Sequence, residues 1–426
     1  MTNQALPIPI SEPLKTRIQT IQKHILWELI DRQIPMRLML LASLAGEHIL
    51  LIGPPGTAKS ELARRLHKVF KSENGAVYFE RLLTRFSIPE ELFGPLSIKE
   101  LEEDRYNRLT KGYLPTASVA FLDEIFKANS AILNSLLTLL NERLFDNGDK
   151  REETPLISVV GASNELPKEG KEDEDLGPLY DRFLVRYYVT PLSEKDFVKL
   201  LQLTDVPPPQ LRDGQLLTRK ELDDIREKAK LVKLPSSICE LLTGWRMFCY
   251  DQQIPVSDRR WRKIVKLLKT SAHSEGRDEV SIWDCWLVQY CLWHRPDQLE
   301  KIYNWYVNQI GEPTVEAPGQ LRRFVEAKES QLLTDKSSSS KSFSQQEIQE
   351  RTGDVQRLKK AIDQHLSELV NLSANVSEDI GNHLWIEPTF LGFARKQLDL
   401  KIKEYTDLSE RINSVIEGLK KLTVKN

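Results

Sequence analysis

The chain has 426 residues, enough for about two to four domains of ordinary size. Its 60 lysines and arginines nearly balance 62 acidic residues. This balance argues against a protein that coats nucleic acid, because such a protein needs a basic surface. No apolar run approaches the roughly 20 residues of a membrane span, and the first residues lack the pattern of a signal peptide. These features predict a cytoplasmic protein that is not integral to a membrane.

The first 45 residues predict an arm and two helices. Residues 1–12 are rich in proline and are expected to form a flexible arm. Apolar residues at helical spacing predict a helix over 14–34 that ends at Pro35. A second, very apolar helix is predicted over 36–45.

The next segment has the order strand, glycine-rich loop, helix. The loop fits the phosphate-binding pattern G-x-x-x-x-G-K-[ST], except that Ala58 replaces the second glycine. In this pattern backbone N–H groups and the helix dipole bind phosphate, while Lys59 reaches the β- and γ-phosphates and Ser60 binds Mg²⁺. The predicted nucleotide-binding residues of this loop are Gly53, Pro54, Pro55, Gly56, Thr57, Ala58, Lys59, Ser60 and Glu61.

A buried strand, SVAFLDEI, ends in two acids. In a parallel sheet its carboxyl end lies beside the phosphate loop, so Asp123 can hold Mg²⁺ together with Ser60, and Glu124 can polarise the attacking water. A further strand ends on Asn164, whose amide could hold that water. The acids could also simply cap the helix that follows, but the upstream phosphate loop favours catalysis.

Two segments between these strands are predicted to project. Residues 96–114 are polar and lack an apolar face, which indicates either a small hairpin near Glu103-Asp104 or a solvated loop. The dipeptide Asn147-Gly148 predicts a β-hairpin, because it supplies the positive φ angles of a tight turn.

Arg182 and Arg186 flank a short apolar run. One of them could be an arginine finger, which stabilises transition-state charge on a phosphate, and either could be a simple ion pair. Because this segment is predicted at the edge of the domain, Arg182 would act on the nucleotide of a neighbouring subunit. That arrangement implies a ring or a helical oligomer.

Residues 191–310 show helical spacing. Ser257-Asp258 caps a helix whose first turn contains Arg259 and Arg260, where the helix dipole favours acids instead. This placement predicts that both arginines face phosphate, the alternative being a surface or aspartate-paired role. The aromatic residues expected in the core and the cysteines expected as buried free thiols are Trp283, Trp286, Tyr290, Trp293, Cys239, Cys249, Cys285 and Cys291.

The composition changes after residue 310. A Ser-rich linker is predicted at about residues 335–346. Apolar stripes over 355–372 and 398–422, the second with near-heptad spacing, predict a long antiparallel helical hairpin. It carries almost no polar site chemistry and is interpreted as a spacer or docking arm.

The ordered motifs GPPGTAKS, FLDEI, GASN, LYDRF and SDRRW are similar to the layout of AAA+ ATPases, in which they are Walker A, Walker B, sensor 1, arginine finger and sensor 2. Over about residues 25–310 the chain resembles the MoxR family of AAA+ ATPases and, within it, the RavA branch. Segments such as AFLDEIFKANSAILNSLLTLLNERLFDNG carry this resemblance. Where some RavA members insert an extra domain, this chain has only the Ser-rich segment near Ser337.

The resemblance implies three parts. They are an α/β P-loop AAA+ domain over 13–190 with a parallel sheet flanked by helices, an all-α lid over 191–310, and a helical hairpin arm over 311–426. The insert at 96–114 then corresponds to the helix-2 insert of the family. Whether Arg259 contacts its own or a neighbour's nucleotide stays open.

The resemblance also implies hydrolysis of Mg·ATP, a hexameric ring, and chaperone-like or assembly-promoting action on a protein substrate. Such proteins commonly work with a partner that contains a von Willebrand A domain. A nucleic-acid motor is the alternative, but basic and acidic side chains balance on the insert, which makes nucleic acid a poor fit. A nucleotide-binding scaffold without turnover is a third class.

Overall fold

The computed structural model describes residues 13–72, 77–167, 176–204, 206–208, 210–311, 318–337 and 344–421. The predicted flexible arm at 1–12 and residues 338–343 of the predicted Ser-rich linker lie outside the described residues. The chain divides into two compact units. Unit 1 comprises Met1–Pro235, Arg246–Leu299 and Leu384–Ile386, and unit 2 comprises Ser236–Trp245, Glu300–His383 and Glu387–Asn426.

The described helices and strands are numbered in chain order. The strands are β1 (His48–Ile52), β2 (Val77–Leu82), β3 (Ala117–Asp123), β4 (Leu144–Asn147), β5 (Lys150–Glu153), β6 (Ser158–Ser163) and β7 (Phe183–Tyr188). The helices are α1 (Leu14–Ile25), α2 (Gln33–Ala45), α3 (Lys59–His67), α4 (Pro89–Phe93), α5 (Ile98–Leu101), α6 (Ser130–Glu142), α7 (Leu176–Arg182), α8 (Glu194–Leu201), α9 (Arg219–Lys230), α10 (Ser236–Asp251), α11 (Asp258–Ser274), α12 (Gln289–Leu292), α13 (Leu299–Gln309), α14 (Pro318–Ser337), α15 (Gln345–Gly381) and α16 (Phe390–Lys420).

A parallel five-stranded sheet of order β2-β3-β6-β1-β7 forms the core of unit 1. Strands β1 and β6 are buried along their whole length. Such continuous burial is typical of a parallel sheet covered by helices on both faces. The predicted α/β domain with a parallel sheet flanked by helices is therefore confirmed.

Strand β7 was missing from the sequence prediction, which placed Arg182 after the last strand. It pairs with β1 in parallel, with Phe183 opposite His48 and Tyr188 opposite Ile52. Arg182 therefore immediately precedes a fifth strand. The residues before β7 lie where the parallel strands start, and the loop after β1 lies where they end. We call these two sides the opposite edges of the sheet.

The N-terminal helices also differ from the prediction. Helix α1 ends at Ile25 instead of continuing to residue 34, and α2 begins at Gln33. Pro35 lies in the first turn of α2 instead of ending a helix. A proline is tolerated there because the N–H groups of a first turn have no partner within the helix.

The two predicted projections are hairpins. Strands β4 and β5 pair antiparallel across Gly148, whose φ is 65°. In the insert at 96–114, the Ser97 N–H donates to the Asn107 carbonyl at 2.8 Å, so the two ends meet. The one-turn helix α5 occupies one arm of this second projection.

Arg186 is a structural residue, which excludes it as the arginine finger. Its side chain has no solvent exposure and lies 3.8 Å from the centre of the Tyr180 ring. One guanidinium nitrogen donates to the Trp293 carbonyl at 2.7 Å. A neighbouring subunit cannot reach a side chain buried in this way.

Arg260 is also buried, in contrast to the prediction that it faces phosphate. It is 1% exposed, and its guanidinium donates to the Leu184 and Cys291 carbonyls at 2.7 and 2.6 Å. It also pairs with the Asp181 carboxylate at 3.1 Å. The arginine in this first turn therefore donates hydrogen bonds to carbonyl oxygens at the start of β7, and it does not serve to bind phosphate. Arg260 therefore fixes α11 to the sheet.

A buried acid fixes α11 at a second place. The Glu47 carboxylate, 4% exposed as a residue, accepts from Lys263 at 2.7 Å and Lys266 at 3.0 Å. Burial alone would raise the pKa of Glu47, but the two ammonium groups outweigh it and the pKa is lowered. The carboxylate is therefore ionised at neutral pH and holds both lysines.

The predicted core of the helical region is largely confirmed. Trp283, Trp286, Tyr290 and Trp293 are all buried. All four cysteines are free thiols, and three are buried as expected. Cys239 is exposed, and the prediction was wrong for that residue.

Helices α15 and α16 form the predicted hairpin, and the described part of unit 2 also contains a third long helix, α14, that was not predicted. Helices α15 and α16 are antiparallel, as the pairs Asp363–Ser409 and Ser377–Arg395 show. Helix α14 lies beside α16 through the Glu329–Arg411 ion pair at 2.6 Å. It continues to Ser337, so the start of the predicted linker is helical. Among the described helices, none is both long and apolar enough to cross a bilayer.

Arg260 and Arg259 provide a matched pair for testing this fold. Replacing the buried Arg260 with alanine leaves several carbonyls and Asp181 without donors, and we expect a loss of about 3–5 kcal/mol in the free energy of unfolding. Replacing the exposed Arg259 should change it by less than about 0.5 kcal/mol. Urea unfolding followed by circular dichroism measures both values. Equal losses for the two variants would contradict the structural role of Arg260.

Candidate nucleotide site

The loop from Gly53 to Ala58 connects β1 to α3 and has an unusual backbone. Gly53 has a φ of 152°, and a Cβ atom there would lie 2.1 Å from the Val189 carbonyl oxygen. Gly56 and Ala58 have φ angles of 76° and 65°. A Cβ at Gly56 would meet no atom within 4 Å, so that loop position faces open space. The loop is thus tight against the sheet at Gly53 and open at Gly56.

Lys59 folds back over this loop. Its ammonium group donates to the Gly53 carbonyl at 2.7 Å, the Pro54 carbonyl at 3.0 Å and the Asn164 side-chain oxygen at 3.2 Å. Burial lowers the pKa of Lys59, and the charges of Asp123 and Glu124 oppose that shift. The ammonium therefore lies inside the loop, close to both acids.

Asp123, Glu124 and Asn164 leave the sheet at the same edge as the loop. The register places Asp123 at the end of β3, next to Leu82, while Ser163 at the end of β6 lies opposite Ile52. The Asn164 amide donates to one Glu124 carboxylate oxygen. Asn164 therefore bridges Lys59 and Glu124 in one continuous polar chain.

The second carboxylate oxygen of Glu124 is buried and has no hydrogen bond among the described residues. The Lys127 ammonium lies 3.4 Å away, within ion-pair distance but in poor hydrogen-bond geometry. Burial raises the pKa of Asp123. A cleft of about 490 Å³ lies beside Glu124 and is lined in part by Glu124, Arg85 and Asn129. Glu124 therefore lines this cleft with a carboxylate oxygen that has no hydrogen bond among the described residues.

Arg32 supports the loop, and sequence reasoning did not identify it. Its guanidinium, in a residue 5% exposed, donates to the Thr57 carbonyl at 3.1 Å and the Thr190 carbonyl at 2.8 Å. It joins the phosphate loop to the end of β7. Nothing in the local sequence indicates this role, because it depends on a contact across 158 residues.

The residues present fit a magnesium nucleotide. The loop is a backbone cradle open at Gly56 with a lysine inside it, which suits a chain of phosphates. The Asp123 carboxylate and Ser60 hydroxyl, both part-exposed, are oxygen ligands of the kind that Mg²⁺ prefers. Glu61 is in the first turn of α3 and forms an ion pair with Arg65 at 3.0 Å.

Arg182 and Arg259 lie together, but at the other edge of the sheet. Arg182 precedes Phe183, which pairs with the first residue of β1, whereas the phosphate loop follows the last. Five residues of strand span roughly 16 Å, farther than an arginine side chain reaches. Both arginines donate to the side-chain oxygen of Asn141. The structure thus separates them from the phosphate loop of the same chain.

Comparisons with known proteins agree with this geometry. Residues 16–223 match the family described as the MoxR domain in the MoxR-vWA-beta-propeller ternary systems, and residues 237–306 match an AAA lid domain. Two uncharacterised proteins of Methanocaldococcus jannaschii are 42% and 39% identical. The matches cover 66% and 67% of this chain and 72% and 74% of those proteins.

A solved structure from Cytophaga hutchinsonii, described as that of a candidate ATPase, superposes with a TM-score of 0.52. It covers 68% of this chain and 94% of its own length. At 17% identity this likeness shows the fold alone. With the phosphate loop, the paired acids, the parallel sheet and the matched lid, these findings show that the chain belongs to the MoxR family of AAA+ ATPases.

Proposed function

We propose that this protein hydrolyses ATP with Mg²⁺ at a site shared between two subunits and uses the energy to remodel or assemble other proteins. One observation carries the proposal. The phosphate loop and the acids lie at one edge of the sheet, while two arginines that form no salt bridge within the described part of the chain lie at the opposite edge. One copy of the chain therefore supplies one half of an active site at each edge of its sheet, and neither half is complete without a second copy.

The first half would bind the nucleotide and activate water. Lys59 would turn from the Gly53 and Pro54 carbonyls to the phosphates, and Ser60 and Asp123 would hold the metal ion. Bound Mg²⁺ would neutralise charge that develops on the phosphate oxygens. Glu124 would accept a proton from the attacking water, with Asn164 orienting both.

The second half would stabilise the transition state of a neighbour. Arg182 in the role of arginine finger, with Arg259 beside it, would contact the γ-phosphate bound by the adjacent copy. Each copy then gives its arginines to one neighbour and receives those of another. Such a head-to-tail contact forms either a closed ring or an open helical filament, and a hexameric ring is the form we propose.

Glu124→Gln tests the role of the water-activating acid. Because the amide cannot accept a proton, we expect kcat to fall at least about 100-fold, while ATP affinity changes less than about threefold. Phosphate release and binding of a fluorescent ATP analogue measure these two quantities. The control is Glu152→Gln, the same change on the exposed strand β5. Hydrolysis at the parental rate by Glu124→Gln would contradict the assigned role.

Mixing two inactive variants tests the shared site. Arg182→Ala should bind ATP normally but lose turnover, and Lys59→Ala should lose binding. In an equal mixture, random ring assembly gives about a quarter of interfaces an intact loop facing an intact arginine, so about a quarter of the parental rate should return.

Native mass spectrometry must first show that the mixed rings form. Absence of recovery from verified mixed rings would contradict action across the interface. Parental turnover by Arg182→Ala alone would contradict the finger assignment itself.

We further propose that the ring acts on a protein substrate together with a partner that contains a von Willebrand A domain. The support is the matched family, whose description names MoxR-vWA-beta-propeller systems. Balanced charge on the projecting insert also disfavours a nucleic-acid motor.

The ATPase rate measured at low salt with single-stranded DNA, duplex DNA or a purified von Willebrand A protein separates these alternatives. We expect DNA to change the rate by less than about twofold and the protein partner to change it more. Strong DNA stimulation that declines steeply with salt would favour the motor instead.

A further inference from the structure

Near the end of α6, Asn141 lies where the half-buried Arg182 and the exposed Arg259 converge. We propose that Asn141 is a positioning residue that holds Arg182 and Arg259 side by side, ready for the phosphate of a neighbouring subunit. This inference rests on the proposed shared site. It adds a residue that the sequence motifs do not identify.

A single atom makes both contacts. The Asn141 side-chain oxygen accepts from Arg182 at 3.2 Å and also from Arg259. The three residues come from α6, α7 and α11, so their meeting depends on tertiary structure. Helix α6 begins at Ser130, which lines the same cleft as Glu124, and Asn141 lies roughly 16 Å farther along the helix axis.

The backbones that carry the two arginines are already fixed. Arg260 joins the first turn of α11 to the Phe183 and Leu184 carbonyls, directly after Arg182. The two residues that follow Arg182 thus anchor α11 through Arg260, while Arg259, the neighbour of Arg260, is exposed. What remains free is the orientation of the two long side chains, and Asn141 supplies that orientation.

The neutrality of Asn141 preserves the positive charge of the pair. Among the described residues, neither Arg182 nor Arg259 forms a salt bridge, because the nearby acids have other partners. Asp181 pairs with Arg260 at 3.1 Å and Glu142 with Arg151 at 3.6 Å.

The Arg182 side chain also has spare donor capacity. Its Nε is buried and lacks a hydrogen-bond partner among the described residues. Burial and the neighbouring Arg259 both lower the pKa of Arg182, and the adjacent Asp181 carboxylate offsets only part of that shift. Two guanidinium groups held together without a salt bridge among the described residues suit a phosphate, which accepts several charge-assisted hydrogen bonds at once. A carboxylate at position 141 would form ion pairs with both guanidinium groups before any phosphate reached them.

The test compares Asn141→Asp and Asn141→Ala with Asn134→Asp, an exposed asparagine on the same helix. Asn141→Asp should lower kcat at least about tenfold, because the new carboxylate neutralises the pair. Binding of a fluorescent ATP analogue should change less than about twofold, since the phosphate loop is at the other edge of the sheet. The thermal midpoint should stay equal or rise, because the aspartate gains two ion pairs. Asn141→Ala should lower kcat less, and Asn134→Asp should match the parent.

Mixing Asn141→Asp with Lys59→Ala subunits should restore turnover as Arg182→Ala does, because the Lys59→Ala neighbour supplies intact arginines. A fall in both thermal midpoint and kcat without recovery would indicate a structural role and overturn the inference. Parental kcat in both Asn141 variants would also overturn it.

The two proposals fail in different ways. If Arg182→Ala loses turnover while the Asn141 variants do not, only the present inference fails. If Arg182→Ala keeps turnover, the shared site itself fails, whatever the Asn141 variants do.

Discussion

The parallel register between β1 and β7 is the constraint on which the site depends. The end of β1 opens into the phosphate loop, and its start pairs with the residue that follows Arg182. Because both strands run the same way, the loop and the arginines must leave from opposite edges, roughly 16 Å apart. No side-chain rotation can bring them together within one copy. The proposed shared site therefore follows from the arrangement of the strands, and the buried Arg260 and Glu47 hold α11, which carries Arg259, in place.

At the phosphate loop, the charged side chains are held in a hydrogen-bond network that a bound nucleotide must rearrange. Lys59 is bonded to loop carbonyls and to Asn164, and Asn164 is bonded to Glu124. Burial disfavours the charged forms of both Lys59 and Asp123, and their opposite charges offset part of that cost. Phosphate and a metal ion would take over these partners. Nucleotide binding would thereby be linked to the orientation of Glu124 through the side-chain amide of Asn164.

Local motifs were predictable from the sequence, and long-range contacts were not. The phosphate loop, the acids after β3 and Asn164 depend on a strand end followed by a turn, which a sequence pattern can reveal. Arg259 and Arg260 were both predicted to face phosphate, because the helix dipole acts on every residue of the first turn and does not distinguish between them. Successive helix residues point about 100° apart, so one is exposed and the other buried. Strand β7 was missed because a short apolar run does not distinguish strand from helix.

The most direct test of the shared site is a structure of the Glu124→Gln variant, assembled with Mg·ATP, in which hydrolysis is blocked. We expect Arg182 and Arg259 of one copy to lie within hydrogen-bond distance, about 3 Å, of the γ-phosphate held by Lys59 of the next copy. Asn141 should remain against the two arginines. A nucleotide contacted only by residues of its own copy, with both arginines facing solvent, would contradict the account.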